Sequence, residues 1–205
     1  MATKVLIVDD SAVVRRMLTA LISKQPGLTV VGAAPDPFVA RDMIVQHEPD
    51  VLTLDIEMPR MDGVTFLRKL MAVKPIPTVV VSSLTAQGSE LALDALAAGA
   101  VEVIHKGDAA YDLAGMAERL VHAIRAAASA RIDVRAPAPA ARQAPAALAR
   151  TTNQVVAIGS STGGVSALEQ ILTAYPANAP GTIIVQHMPP GFTRSFADRL
   201  AGVCA

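Results

Sequence analysis

Cysteine is almost absent: Cys204 is the single thiol in 205 residues. No internal disulfide framework is open to the chain, and a lone free thiol fits a reducing compartment. An excess of one charge is also missing, since 18 Lys and Arg face 18 Asp and Glu. A formally neutral chain lacks the electrostatic footprint that binding to nucleic acid or anionic lipid needs. Long apolar runs are missing too. None approaches the ~20 residues needed to span a bilayer. The apolar stretch Val5–Val8 is only strand-length and runs at once into two aspartates, unlike a signal peptide. The expectation is a cytoplasmic protein with no nucleic-acid partner and no membrane insertion.

Apolar residues, by contrast, make up 52% of the chain, enough for a buried core. Short β-rich runs alternate with segments of helical period. The strand candidates are Val5–Val8, Thr29–Gly32, Val51–Leu54, Thr78–Val81 and Val101–Ile104. Several are apolar almost throughout, as parallel strands covered on both faces must be. Val13, Val14, Met17, Leu18, Leu21 and Ile22 recur at helical spacing, and further helices are expected over Phe38–Gln46, Val64–Ala72, Glu90–Ala98 and Asp112–Ala127. Five strand–helix units in a row predict an α/β, flavodoxin-like domain with parallel sheet order 2-1-3-4-5. Its site should lie at the C-terminal ends of strands 1 and 3.

After about residue 125 the composition changes. Ala, Pro and Arg dominate from Arg135 onward without apolar periodicity, so residues 126–152 read as a semi-extended linker. A second α/β region, Rossmann-like, then occupies residues 153–205. Val155–Ile158 reads as a strand, Gly159–Gly164 as a tight loop, Val165–Tyr175 as a helix, Thr182–Gln186 as a strand and Thr193–Leu200 as a short helix.

The switch-point rule gathers three carboxylates, because Asp9 and Asp10 end the first strand and Asp55 ends the third. Close carboxylates repel and pay for desolvation unless a cation neutralises them. Mg2+ suits such a site, since it takes one or two carboxylates and leaves room for waters and phosphate oxygens. Lys106 follows the fifth strand and offers a point charge to phosphate. Ser82 ends the fourth strand and offers a hydroxyl. Asp55 is the expected acceptor of a phosphoryl group.

The stretches Val5-Leu-Ile-Val-Asp-Asp-Ser and Leu54-Asp-Ile-Glu-Met-Pro-Arg-Met-Asp-Gly make residues 1–125 resemble a two-component response-regulator receiver domain. The resemblance implies phosphorylation of Asp55 by a partner sensor histidine kinase. It implies Mg2+ held by Asp10, Asp55 and the backbone carbonyl of Glu57, with Asp9 assisting, and an acyl phosphate read by Ser82 and Lys106. Two positions depart from the family pattern. Gly107 stands where proline is common, and Val103 where many members carry an aromatic switch residue.

Gly159-Ser-Ser-Thr-Gly-Gly fits the G-x-S-x-G pattern centred on Ser161. Glycines allow the sharp turn and let backbone N–H groups face a reacting carbonyl, where one donor is worth ~3 kcal/mol to an oxyanion. His187 ends the next strand, so a βαβ unit would bring base and hydroxyl to one sheet edge. A phosphate cradle is the alternative, but the loop has no P-loop lysine. Beyond His187 the only acid is Asp198, within the last predicted helix.

Ala157-Ile-Gly-Ser-Ser-Thr-Gly-Gly and Gln186-His-Met-Pro-Pro-Gly-Phe-Thr-Arg-Ser-Phe-Ala-Asp-Arg-Leu are similar to the chemotaxis-specific methylesterase family. The resemblance implies hydrolysis of glutamate methyl esters, and deamidation of glutamines, on chemoreceptors. Ser161 would be the nucleophile, His187 the general base and Thr162 a supporting neighbour, with no cofactor for the esterase step. That family takes its triad aspartate from a later glycine-rich segment with no counterpart here. The expectation is a regulatory domain, a linker and the first βαβ unit of the catalytic domain, catalytically incomplete in this polypeptide. The rival reading is a non-enzymatic response-regulator module.

Overall fold

Seven strands and seven helices alternate through the computed structural model, which describes residues 2–82, 86–106, 113–130, 154–188 and 192–204, the side chains of 86–89, 113 and 114 apart. They divide into two compact units, split between Val134 and Arg135.

The first unit runs β1 (Thr3–Val8), α1 (Ala12–Ile22), β2 (Leu28–Ala34), α2 (Pro37–His47), β3 (Val51–Asp55), α3 (Gly63–Val73), β4 (Thr78–Ser82), α4 (Ala86–Ala97), β5 (Glu102–His105) and α5 (Leu113–Ser129). All five strands are parallel, in the order β2-β1-β3-β4-β5, the flavodoxin-like order that the sequence predicts. Every residue of β3 and β4 is buried, which explains their unbroken apolar composition. The face carrying α1 and α5 packs Val5, Ile7, Val51, Val79 and Val81 against Leu18, Ile22, Leu120 and Ile124.

The helix starts follow local chemistry. Ser11 caps α1 by accepting from Val14 N–H at 3.4 Å. Asp36 caps α2 by accepting from Phe38 and Val39 N–H at 2.8 and 3.0 Å, with Pro37 in the first turn. Asp62 caps α3 through Thr65 N–H at 2.8 Å. Each places a side-chain oxygen on an otherwise orphaned donor. Helix α4 begins at Ala86, four residues before its expected start, because Gly88 and Ser89 weaken the propensity signal in its first turn. Helix α5 continues through Ser129, carried by Ala126, Ala127 and Ala128 past the expected start of the linker. Linker residues 131–152, together with Gly107, Pro189 and Pro190, lie outside the described residues.

The second unit contains β6 (Val156–Ser160), α6 (Gly164–Thr173), β7 (Thr182–Gln186) and α7 (Phe192–Val203), and its two strands are parallel. Strand β6 extends two residues beyond its expected end because Gly159 and Ser160 pair with Val185 and Gln186. Pairing overrides the weak β-propensity of glycine and serine. Val165, Leu168, Phe192 and Phe196 form its buried set. Arg199 of α7 lies 3.4 Å from Glu169 of α6.

Ile124 is fully buried on the α1/α5 face. Ile124→Ala is expected to destabilise the first unit by about 2–5 kcal/mol. Urea unfolding should show a lower midpoint with the slope unchanged.

Candidate functional site

Adjacent parallel strands β1 and β3, in register from Val5 opposite Val51, end at one edge and deliver their acids together. Carboxylate oxygens of Asp9, Asp10 and Asp55 lie within 4.8 Å of one another. Asp9 and Asp55 are buried, 1% and 3% exposed, whereas Asp10 faces solvent. Lys106, directly after β5, reaches back to both buried acids. Its Nζ is 2.7 Å from Asp55 Oδ2 and 3.0 Å from Asp9 Oδ2. Ser82 is buried at the end of β4, where its carbonyl accepts from Lys106 N–H at 2.8 Å. The residues expected at the acid site are therefore assembled at one sheet edge.

Three carboxylates against one ammonium leave the pocket net negative. Asp9 Oδ1 accepts from Ser11 N–H at 2.9 Å. Asp9 Oδ2 is buried and, despite its ion pair with Lys106, has no hydrogen bond of proper geometry. Asp55 Oδ1 accepts from Glu57 N–H at 3.3 Å. Burial drives the Asp55 carboxyl above the usual aspartate range and the nearby Asp9 adds to this, outweighing the contrary pull of Lys106. For Lys106, burial acts to lower its affinity for a proton, but Asp55 and Asp9 together outweigh it and hold the ammonium above its ordinary value. Surplus negative charge, a buried Asp9 oxygen met only by the shared Lys106 ammonium and an all-oxygen donor set fit a hard divalent cation.

Three residues that support this pocket are not among the expected site residues, although Arg60 and Gly63 stand in the Leu54–Gly63 stretch. Arg15 Nη1 donates to the carbonyls of Asp9 and Asp10 at 2.8 and 2.9 Å, pinning the turn that carries both acids. Gly63 sits so close beneath the Asp55 backbone that an added Cβ would lie 2.1 Å from the Asp55 carbonyl oxygen. Arg60, with φ of +70°, pairs with Asp36 at 2.6 Å and stacks over Phe38 at 5.2 Å. It thereby ties the loop after Asp55 to the start of α2.

The second unit has its own strand-edge pair. Ser161 follows β6 and His187 follows β7, and His187 N–H donates to the Ser160 carbonyl at 2.9 Å. Ser161 Oγ stands 3.4 Å from His187 Nδ1, and both residues are exposed. That separation is longer than an ideal hydrogen bond, as uncomplexed nucleophile–base pairs often are. Gly163 caps α6 in the left-handed conformation at φ +76°, which a residue with a Cβ resists. Thr162 lies between serine and glycine, at the positive end of α6. Asp198 is 3.5 Å from Arg194 in an exposed pair one helical turn apart on α7.

A 2-1-3-4-5 parallel sheet with an acid-and-lysine pocket at its C-terminal edge defines a receiver-type α/β domain. The response regulator receiver domain model matches residues 5–118, and the CheB methylesterase model matches residues 156–205. The response regulator domain of Thermotoga maritima CheB is 37% identical with a TM-score of 0.59, over 64% of this chain and all of that one. The chain belongs to the response-regulator receiver family, and over nearly its whole length it is similar to proteins named protein-glutamate methylesterase/protein-glutamine glutaminase. Proteins of the latter name from Anaeromyxobacter dehalogenans and Syntrophus aciditrophicus are 57% and 52% identical, over 96% and 98% of this chain. This chain spans 56% and 60% of their lengths. A chain of the CheX–CheY–BeF3–Mg2+ complex from Borrelia burgdorferi is 30% identical with a TM-score of 0.51, over 60% of this chain and 87% of that one. No helix among the described residues is long and apolar enough to cross a membrane.

A carboxyl held above its unfolded-state pKa penalises the fold above the folded pKa, and the penalty vanishes below the unfolded value. Asp55→Asn should therefore raise the urea midpoint at pH 7, with the gain shrinking as the pH falls through the carboxylate range. A midpoint unchanged or lowered at pH 7 would contradict the burial argument. Mg2+ should stabilise the wild type by about 2.7 kcal/mol at one hundred times its dissociation constant. Asp10→Asn, which leaves the Lys106 bridge in place, should weaken that response in a thermal melt.

Proposed function

We propose that this polypeptide is the switch and the first catalytic segment of a phosphorylation-controlled chemotaxis methylesterase. Residues 1–125 act as the receiver, 126–152 as the linker and 153–205 as the opening part of the catalytic domain. The observation that carries the proposal is the pairing of two strand-edge sites in one chain, the Asp9–Asp55–Lys106 pocket and the Ser161–His187 couple.

In the first site a carboxylate oxygen of Asp55 attacks the phosphorus of a sensor kinase's phosphohistidine, so that an O–P bond forms as the P–N bond breaks and the kinase imidazole leaves. Asp10, Asp55 and the Glu57 carbonyl would hold Mg2+, with Asp9 assisting; the Mg2+ named in the similar Borrelia burgdorferi complex supports that choice. The bound ion supplies positive charge against the phosphoryl oxygens. Lys106 and the Ser82 hydroxyl then take the remaining phosphate oxygens, so Lys106 exchanges its bridge between Asp9 and Asp55 for the new dianion.

In the second site His187 removes the Ser161 proton as the hydroxyl attacks a glutamate methyl ester on a chemoreceptor. The loop through Thr162 and the N-terminal end of α6 stabilise the oxyanion. Methanol leaves with the proton returned by His187, and water then releases the glutamate. A glutamine side chain enters the same sequence with ammonia as the leaving group. The reaction belongs to the cytoplasmic face of the receptor.

Methanol release from methylated receptor, with phosphodonor and Mg2+ present, tests the assignment. A histidine without an orienting acid turns over ~10⁴-fold more slowly in a serine triad. Asp198 is engaged by Arg194, and both side chains are exposed on α7. Little or no methanol is therefore expected from the 205 residues, and clear release from a polypeptide that adds the relatives' remaining length. Full turnover by the short chain would overturn the account of the missing acid, and none from the long one would favour a non-enzymatic module. Asp55→Asn should abolish acyl-phosphate formation, and persistent labelling would refute the phosphoacceptor assignment.

A further inference from the structure

Between Ser161 and His187 lies a side chain that takes no part in the proposed reaction steps. Gln186, the last residue of β7, is half-buried, and its carboxamide is engaged at both ends. Nε2 lies 2.9 Å from the Ser161 carbonyl and 2.9 Å from the His187 carbonyl. Oε1 accepts from Ser160 Oγ at 2.5 Å. Both N–H groups of the amide are thus spent on the backbones of the two residues whose side chains must meet. The two carbonyl contacts fix the orientation, because a reversed amide would set an oxygen against two carbonyl oxygens.

The backbone is shaped around this group. A Cβ on Gly164 would lie 2.2 Å from Gln186 Oε1 and 2.8 Å from Ser160 Cβ, so the first residue of α6 is closed down onto the amide. Gly164 N–H also donates to the Ser161 carbonyl at 2.7 Å, so that carbonyl accepts from both the helix start and the glutamine. The ladder bond from His187 to Ser160 fixes the strands to each other, but not the loop that carries Ser161. The Nε2 bond to the Ser161 carbonyl supplies that second tie.

We infer that Gln186 is the positioning residue of the pair, locking the Ser161 loop to the His187 backbone so that hydroxyl and imidazole face each other. The inference rests on the reading of Ser161 and His187 as nucleophile and base. Gln186 touches no reacting atom and acts through those two residues. Glutamine is the residue the geometry requires. Asparagine is one methylene short, glutamate turns an oxygen toward both carbonyls, and methionine has the length but no donor.

The test uses the 205-residue chain and reads geometry apart from turnover. Nuclear Overhauser contact between the Ser161 β protons and the His187 ring reports the pairing, and ring-nitrogen shifts of His187 report its surroundings. Amide-exchange protection of β6, β7 and α6 reports whether the unit remains folded. Gln186→Met is expected to lose the contact and shift the ring nitrogens while protection persists. Ser160→Ala, which spares both Nε2 bonds, should retain the contact. Should Gln186→Met unfold the unit, Gln186→Glu decides: the contact should be absent with glutamate ionised and return, relative to wild type, on its protonation. Retention of the contact in a folded Gln186→Met, or in Gln186→Glu at all pH values, would overturn the inference. Labelling of Ser161 by a fluorophosphonate, in a polypeptide that adds the relatives' remaining length, is the separate arm. It should slow at least tenfold in Gln186→Met. A wild-type serine that never labels would instead overturn the nucleophile reading, with the contact still reporting on Gln186.

Discussion

The Lys106 ammonium lies between Asp55 and Asp9, and the first unit is organised around keeping it there. Buried charges cost several kcal/mol each to desolvate, and a pair recovers that cost only with good geometry and further hydrogen bonds. Here the recovery is partial. Asp55 remains harder to ionise than a free aspartate, and one Asp9 oxygen lacks a hydrogen bond. An apolar replacement would be better for stability alone. A pocket that stores unfavourable negative charge instead fits a cation, and on the proposed reading a phosphoryl group, and the rest of the unit supplies the rigidity that holds it unrelaxed. Strands β3 and β4 are buried on both faces, Arg15 pins the β1–α1 turn, and Gly63 lets α3 press against the Asp55 backbone.

The second unit applies the same placement to different chemistry. Parallel strands again end together, and Ser161 and His187 follow one strand each. The components are an exposed hydroxyl and an exposed imidazole, however, and no buried ion pair like that of Lys106 holds them in place. Hydrogen bonds to backbone carbonyls do so, through the Ser160–His187 ladder bond and the Gln186 amide. A mobile hydroxyl suits nucleophilic attack only when the loop beneath it is fixed, because misplacement by ~1 Å can cost 10²-fold in rate.

Much of this is legible in the sequence, for reasons that also mark where legibility stops. Strand order follows from five apolar runs separated by helix-period segments, and the switch-point rule converts that order into a cluster of Asp9, Asp10 and Asp55. Residues defined by their own chemistry are thus found by topology. Residues defined by what they approach are not. Gly63 looks like an ordinary helix-start glycine until the Asp55 carbonyl is seen 2.1 Å from where its Cβ would be. Arg15 looks like a solvated charge on α1, and Gln186 like a polar strand end. The start of α4 and the end of β6 are obscured because Gly88, Gly159 and Ser160 have propensities that tertiary pairing overrides.

Val103 bears on how a phosphorylated Asp55 would be sensed. It is buried in β5, beside Val80 of β4, and offers no ring whose rotation could report the state of the pocket. The signal must then begin with groups that change partners when charge is added. Lys106 is the principal one, since it bridges Asp9 and Asp55 and its N–H is anchored to the Ser82 carbonyl. A phosphoryl dianion competes directly for that ammonium, and Asp9 loses part of its compensation as Lys106 turns. Exchange of one charge-assisted contact for another supplies differential energies on the scale of the ~1–3 kcal/mol typical of allosteric coupling. The strand ends at Ser82 and Lys106 can therefore carry the change without an aromatic switch. On the proposed reading, the switch in this sequence would be a redistribution of charge on a rigid sheet edge.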